Sequence, residues 1–340
     1  MTTRFFSKSA LVFFLGLSLS AIVGCGGGQN GLGSGTVATK PNYVTTIQAA
    51  GNAALPIAVD SKSNLVCVLN EGSNSVSFID GASNAVTSTI TVGNTPLSVD
   101  MNSKTGLAYI ANSMDNTVSV VNTMSGAIVA TVAVGIGPPS VSVNSTTNVV
   151  YVANSGGMSV SVIDGSSNTI TATIALPMNP DAIRVNPVTD KVYVASGSGN
   201  KVAVIDGSSN TVTQTIGVGV ASVGTPLQPV ALDVDTATNM VYIADAVNTV
   251  SAINGSTNKV VASIAVGSFP SDIAVDSATN MVYVVNNNDN TVSVINGTSN
   301  IVSNTLNVAP SSFGVAVDAT SNLVYVSSGT SIGVLQGLTN

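Results

Sequence analysis

The sequence predicts an all-β protein, a seven-bladed β-propeller of four-stranded antiparallel blades in which the N-terminal strand closes the last blade. Three observations predict it: a composition of strand and turn residues, a repeated strand-and-turn unit, and a first strand that matches the one the final repeat lacks. Of the 340 residues 44% are hydrophobic, 7% charged and 4% aromatic. The abundance of Val, Thr, Asn and Gly favours strands and tight turns over helices.

One copy of the repeat spans residues 270–309 and contains four strand-like runs, IAVD, MVYVV, TVSVIN and IVSNTLNV. The turn clusters SATN, NNNDN and GTSN separate them, as expected of tight hairpins. A unit of four short runs joined by such turns predicts a four-stranded antiparallel sheet.

The period of the repeat is set by the Asp or Asn that ends the first strand of each copy. These residues are Asp60, Asn102, Asn144, Asn186, Asp235, Asp276 and Asp318. Successive copies are 41 or 42 residues apart, except that 49 residues separate the fourth from the fifth. Seven residues after each comes a second-strand residue: Cys67, Tyr109, Tyr151, Tyr193, Tyr242, Tyr283 and Tyr325. Four strands in a period of this length are typical of a propeller.

The ends of the chain predict how the ring closes. The seventh copy stops at Asn340, after its third strand, whereas residues 43–47 match the fourth-strand pattern of residues 86–90. We therefore expect the N-terminal strand to complete the seventh blade, which leaves no long unpaired edge.

The second strands Tyr151-Val152-Ala153-Asn154 and Tyr283-Val284-Val285-Asn286 are each followed by a TVSVIN-like third strand. This pattern resembles the YVTN β-propeller repeat family over about residues 43–340. The family includes exported bacterial proteins and archaeal surface-layer proteins, and its fold is related to the cytochrome cd1 and nitrous oxide reductase propellers. The resemblance implies an exported propeller. WD40 and kelch repeats match less well, since the chain has no His or Trp and its period is too short for kelch.

The N-terminus predicts export and a lipid anchor. Arg4 and Lys8 precede an apolar run over residues 10–23, which is typical of a signal peptide. The run ends in Ile22-Val23-Gly24-Cys25, which resembles the lipobox of bacterial lipoproteins and implies lipidation of Cys25. The alternative is an ordinary secretory signal cleaved near Gly24.

We thus divide the chain into a signal peptide (1–24), a lipidated Cys25 with a Gly-rich tether (25–40) and the propeller (41–340). Gly26 is not the Asp that retains lipoproteins in an inner membrane. We therefore expect the outer membrane or cell surface, with the periplasm as the alternative.

Charge and missing residue types exclude several functions. Without the leader the chain has seven basic and sixteen acidic residues, a net charge of −9, so we expect no nucleic-acid partner. It has no His, and no P-loop, GxSxG or CxxC motif, which argues against most hydrolytic and metal chemistry. We expect a monomer with no cofactor and no metal.

Residues that recur in every blade are interpreted as structural. The second-strand tyrosines fit a position between blades, with the hydroxyl near a turn, better than an aromatic ligand platform. Cys67, in their place in blade one, is interpreted as a small buried hydrophobe. The Asp and Asn clusters at the turns could ligate calcium, but they fit Asx turns better because they lack the EF-hand spacing.

Departures from the repeat predict the candidate site. Two residues before the end of each first strand stand Ala58, Asp100, Ser142, Arg184, Asp233, Ala274 and Ala316. Arg184 is the one arginine after the leader, and Asp233 holds the same place in the next blade. The long connection over residues 217–229 joins those blades. Either the pair is a structural ion pair, or Arg184, Asp233 and Asp100 form an anion or polar-ligand site at the channel mouth.

From these observations we predict a non-catalytic binding or surface-scaffold protein whose ligand is a protein, glycan or small molecule. The alternative is a lyase or hydrolase that uses channel Asp and Tyr residues on a small molecule or a polysaccharide. Glycoside chemistry would need two carboxylates about 5–10 Å apart.

Overall fold

The computed structural model describes residues 43–48, 54–218 and 229–339. These residues form seven four-stranded antiparallel sheets, as the sequence predicted. The predicted signal peptide, Cys25 and tether lie outside the described residues, as do residues 219–228 of the long connection. In the part of the chain that is described, no helix is long and apolar enough to cross a membrane.

Each blade consists of four strands, numbered here in chain order. Blades one to three are β2 (Ala54–Asp60), β3 (Leu65–Asn70), β4 (Ser75–Asp80), β5 (Ala85–Thr91); β6 (Pro96–Asn102), β7 (Leu107–Asn112), β8 (Thr117–Asn122), β9 (Ile128–Ala133); and β10 (Ser140–Asn144), β11 (Val149–Asn154), β12 (Ser159–Asp164), β13 (Thr169–Ala175). A 3₁₀ turn follows β3 at Glu71–Ser73.

Blades four to six are β14 (Ala182–Asn186), β15 (Lys191–Ser196), β16 (Lys201–Asp206), β17 (Thr211–Gly217); β18 (Pro229–Asp235), β19 (Met240–Asp245), β20 (Thr249–Asn254), β21 (Lys259–Ala265); and β22 (Pro270–Asp276), β23 (Met281–Asn286), β24 (Thr291–Asn296), β25 (Ile301–Asn307). Blade seven is β26 (Ser312–Asp318), β27 (Leu323–Ser328), β28 (Ser331–Gln336) and the N-terminal β1 (Tyr43–Gln48). Every first strand ends at the Asp or Asn from which the repeat was counted.

The N-terminal strand closes the ring, which confirms the prediction. Strand β1 pairs antiparallel with β28, so the order in blade seven is β1-β28-β27-β26. Ile47 is buried in the cluster between blades seven and one. The Tyr43 hydroxyl accepts a hydrogen bond from the Ala309 N–H at 3.1 Å, so the first strand is also tied to the connection that enters blade seven.

Asx turns explain the Asp and Asn residues at the hairpins. In blade five, Asp235 Oδ1 accepts hydrogen bonds from the N–H groups of Ala237 (2.9 Å) and Thr238 (3.2 Å). The turn ends at Asn239 with φ 58°, a left-handed conformation that Asn tolerates better than most residues. Equivalent left-handed Asn residues include Asn64, Asn148, Asn280 and Asn322. The Asp and Asn side chains that end the first strands are thus engaged by their own turns, as the Asx-turn interpretation predicted.

The core lies between the blades, and the tyrosines fill it. All six second-strand tyrosines are at most 1% exposed. The hydroxyls of Tyr109 and Tyr193 lie close to the turn between the third and fourth strands of the next blade. A Cβ added to Gly165 would lie 2.9 Å from the Tyr109 hydroxyl oxygen, and a Cβ added to Gly255 would lie 2.7 Å from the Tyr193 hydroxyl oxygen. Their interpretation as packing between blades is confirmed.

Blade one departs from this packing in a compensated way. Cys67 is fully buried, and its cross-strand partner is Phe78, where blade two pairs Tyr109 with Val120. The large and small residues are thus exchanged across the strand pair. The next blade's turn begins with Thr123 in place of the usual Gly. In other blades a Cβ there would meet the Asn or Asp of the neighbouring hairpin turn, whereas blade two has Gly106 at that place.

Candidate functional site in the central channel

The candidate site lies in the channel, where the first strands of all seven blades surround a cavity of about 210 Å3. The three residues singled out from the sequence, Asp100, Arg184 and Asp233, all line this cavity. Two groups of side chains divide its wall. We call Asp100, Ser142, Arg184 and Asp233 the polar arc, and Ala58, Ala274 and Ala316 the alanine arc.

Within the polar arc, Arg184 and Asp233 form the ion pair that their shared position in neighbouring blades suggested. Arg184 Nε lies 3.3 Å from Asp233 Oδ1, and the two side chains are 30% and 24% exposed. Burial lowers the pKa of the Arg184 guanidinium, but the carboxylates of Asp233, Asp100 and Asp272 outweigh it and leave that pKa raised. Burial raises the pKa of Asp233, and Arg184 only partly offsets this.

The carboxylates of the arc also hold neighbouring blades together. A first strand has a partner strand on one side only, so the N–H groups on its other edge need acceptors. Asp100 Oδ2 accepts from the Val143 N–H and Asp233 Oδ2 from the Val275 N–H, both at 2.8 Å. Ser142 Oγ accepts from the Val185 N–H at 3.1 Å. Each acceptor belongs to the blade before its donor.

A second layer of such bonds was missed in the sequence. Its acceptors lie four residues before the strand end: Ser98, Ser140 and Asp272 accept from the N–H groups of Val141, Ile183 and Val315 at 3.2, 3.2 and 3.0 Å. The signal was present, since polar residues occur at alternate positions in strands that are otherwise apolar. Asp272 also brings a third carboxylate near Arg184.

The alanine arc leaves strand-edge donors without side-chain acceptors. Ala58, Ala274 and Ala316 occupy the positions that Asp100, Ser142 and Asp233 hold in other blades, where the side chain accepts a hydrogen bond from an N–H group of the next blade. One of the three affected N–H groups, that of Met101, donates to Asp100 Oδ1 at 2.8 Å. Among the described residues, no side chain accepts from the other two, the N–H groups of Val59 and Val317, and both residues line the cavity.

The carboxylates of the polar arc are engaged by backbone N–H groups and by Arg184. Asp100 receives a backbone N–H on each carboxylate oxygen, and Asp233 receives Arg184 on one oxygen and a backbone N–H on the other. Within the described residues, no group of three His, Cys, Asp or Glu side chains could hold a metal ion. The ion-pair interpretation of Arg184 and Asp233 agrees with the geometry, and their role in ligand binding stays a prediction.

Comparison with solved structures supports the propeller fold. The chain is similar to a chain of Kuenenia stuttgartiensis hydrazine synthase, with 15% sequence identity and a TM-score of 0.76 over 87% of this chain and 99% of the other. It is also similar to a chain of a mitotic checkpoint complex, with 12% identity and a TM-score of 0.76 over 95% of this chain and 100% of the other. At these identities the likeness shows the fold alone. No family model and no curated protein matches the chain, so the YVTN resemblance stays a prediction.

Proposed function

We propose that this protein is a non-catalytic binding propeller, exported and anchored at the cell envelope through a lipid on Cys25, and that it takes its ligand in the channel. The observation that carries the proposal is a cavity of about 210 Å3 whose charged side chains are already engaged in joining blades. Such groups make a rigid, preformed wall, and a preformed wall lowers the entropy lost on binding.

The state of the ionisable groups supports a non-catalytic role. A general acid or base needs access to a substrate atom and a pKa near the working pH. Asp100 and Asp233 are held by backbone N–H groups and Arg184. Tyrosines offer no alternative, because burial raises the pKa of Tyr151, Tyr193 and Tyr242 to about 12.

The second candidate function is an enzyme, and the likeness to a chain from hydrazine synthase is a reason to assay turnover. We expect none on glycosides or small metabolites. Turnover that survives purification and is lost in Asp100→Asn would favour the enzyme, since that substitution retains shape and removes the carboxylate.

The anchor is tested by cell fractionation. Cys25→Ser should move the protein from the membrane fraction to the soluble fraction, because a single Cys carries the predicted lipid. Ser34→Ala, in the same tether, is the matched control and should stay with the membrane. If the Cys25→Ser protein remains membrane-bound like the control, the lipid anchor is excluded.

Partner binding is tested separately by affinity capture on the full chain. A specific partner should be retained by the wild type and lost when channel residues or the loops that join successive blades are altered. Capture that is indifferent to both kinds of change would show that the propeller is not the binding element.

A further inference from the structure

We infer that the channel cavity binds a neutral polyhydroxylated molecule of about monosaccharide size, held between the polar arc and the alanine arc. The inference rests on the proposed function in one respect, that the channel is the ligand site. It adds the chemical class of the ligand. Three properties of the wall carry it: unused donors, committed carboxylates and an apolar arc.

Hydrogen-bond donors are in excess on the cavity wall. A guanidinium has five N–H donors, and the described residues provide Arg184 with an acceptor for Nε alone, in Asp233. The N–H groups of Val59 and Val317 add two more donors. The residues at the acceptor position in the blade before each are Ala316 and Ala274, whose side chains cannot accept a hydrogen bond. A ligand rich in acceptor oxygens would satisfy these groups.

The charge of the wall argues against an anion as the source of those oxygens. Arg184 is already paired with Asp233, and Asp100 and Asp272 lie within its electrostatic range. Three carboxylates therefore face one guanidinium, so a carboxylate or phosphate ligand would meet net repulsion. A hydroxyl group both accepts and donates. It can accept from Arg184 or the free N–H groups and donate to the remaining lone pairs of Asp100.

The alanine arc and the volume set the shape and size of the ligand. Ala58, Ala274 and Ala316 line one side of the cavity, and Ala274 and Ala316 also belong to the buried clusters between blades. This side of the cavity therefore carries small apolar residues, which suits the C–H face of a sugar ring. The volume of about 210 Å3 lies below the roughly 300–1,000 Å3 of sites for drug-sized ligands. We therefore expect one ring with its hydroxyls and no chain of sugars.

Isothermal titration calorimetry on the full chain carrying Cys25→Ser would test this, with a panel of neutral hexoses and a hexuronate as probes. A neutral hexose should bind more tightly than its uronate, because the carboxylates around Arg184 repel the charge of the uronate. Ala316→Leu enlarges a residue of the cavity wall without changing a charge and should weaken binding by at least about tenfold. Ala133→Leu, on the exposed outer strand β9, is the matched control and should leave binding unchanged.

Three results would overturn the inference: tighter binding of the uronate than of the hexose, hexose binding unaffected by Ala316→Leu, or no binding of any probe. Should Ala316→Leu fail to fold, Ala58→Leu makes the same test from the neighbouring blade. Envelope fractionation and partner capture do not depend on sugar binding. If they succeed while every probe fails, this inference is lost and the proposed function stands.

Discussion

Replacing Asp245 with Asn should stabilise the protein at neutral pH and leave it almost unchanged at acidic pH. Four other blades carry Asn at the equivalent end of the second strand: Asn70, Asn112, Asn154 and Asn286. Asn154, for example, donates from Nδ2 to the hydroxyls of Ser159 (3.1 Å) and Ser161 (3.0 Å). Blade five has a carboxyl there, so its neighbours must donate to it.

The surroundings of Asp245 make the charged form costly. Its side chain is 0% exposed, and it accepts from Ser251 (3.0 Å) and Thr249 (3.2 Å) while Oδ1 has no partner. The single hydroxyl proton of Ser251 is also within reach of the Val218 carbonyl oxygen, at 3.3 Å. Burial raises the pKa of Asp245 from 3.8 to about 7, and the two hydroxyl groups only partly oppose it.

The magnitude follows from this pKa. At 1.36 kcal/mol per pKa unit, the rise in the pKa of Asp245 corresponds to about 4 kcal/mol of destabilisation. This full penalty applies at a pH where Asp245 is ionised in both the unfolded and the folded protein. Below about pH 4 the carboxyl is protonated in both states and the penalty is absent. It grows as the pH rises from about 4 to about 7 and is constant above that.

Urea unfolding of the wild type and Asp245→Asn at about pH 4.5 and about pH 7.5 measures the effect. The difference in the free energy of unfolding should rise from below about 1 kcal/mol to about 4 kcal/mol, because all other titrating groups are common to both proteins. Asn154→Asp, in blade three, is the converse control and should introduce the same pH dependence. A difference between the proteins that does not change with pH would refute the reasoning.

Two further predictions concern packing and closure. Cys67→Tyr alone should lower the free energy of unfolding by about 1–3 kcal/mol through overpacking against Phe78 and Thr123. Adding Phe78→Val and Thr123→Gly should recover most of the loss, as measured by urea unfolding. A triple variant no more stable than the single one would contradict this. Deleting residues 43–47 should lower the melting temperature of the whole ring, and Ile47→Ala should cost about 2–5 kcal/mol. Unchanged thermal unfolding of the deletion variant would show that β1 does not close the ring.

Most of the fold could be predicted from the sequence because the same pattern is repeated seven times. A single run such as IAVD is ambiguous, but the recurrence of an Asp or Asn at its end fixes the strand boundary in every blade, including Asp60 and Asp318 at the two ends of the ring. The closing strand was predictable for the same reason, since residues 43–47 match the repeat. A chain without repeats offers no such internal alignment.

The channel was only partly predictable. The Arg184–Asp233 ion pair could be predicted because the two residues occupy equivalent positions in the first strands of neighbouring blades. Asp272 and Ser140 were missed because their role depends on which way the strand-edge N–H groups point. That direction follows from the packing of one blade against the next, not from periodicity within a strand. The long connection between blades four and five lies largely outside the described residues, so its expected approach to Arg184 stays a prediction.

Departures from the repeat fall into two kinds, and the distinction guides the search for function. The small residue Cys67 is compensated by the large Phe78 directly across the strand pair, so packing alone explains this departure. The alanine arc is not compensated in this way. Ala316 and Ala274 remove the acceptors that other blades provide, and no other side chain among the described residues replaces them for Val59 and Val317. Strand-edge N–H groups pair with protein, water or ligand acceptors, and those of Val59 and Val317 lie beside the cavity. This side of the channel is therefore where we expect the acceptor oxygens of a ligand to bind.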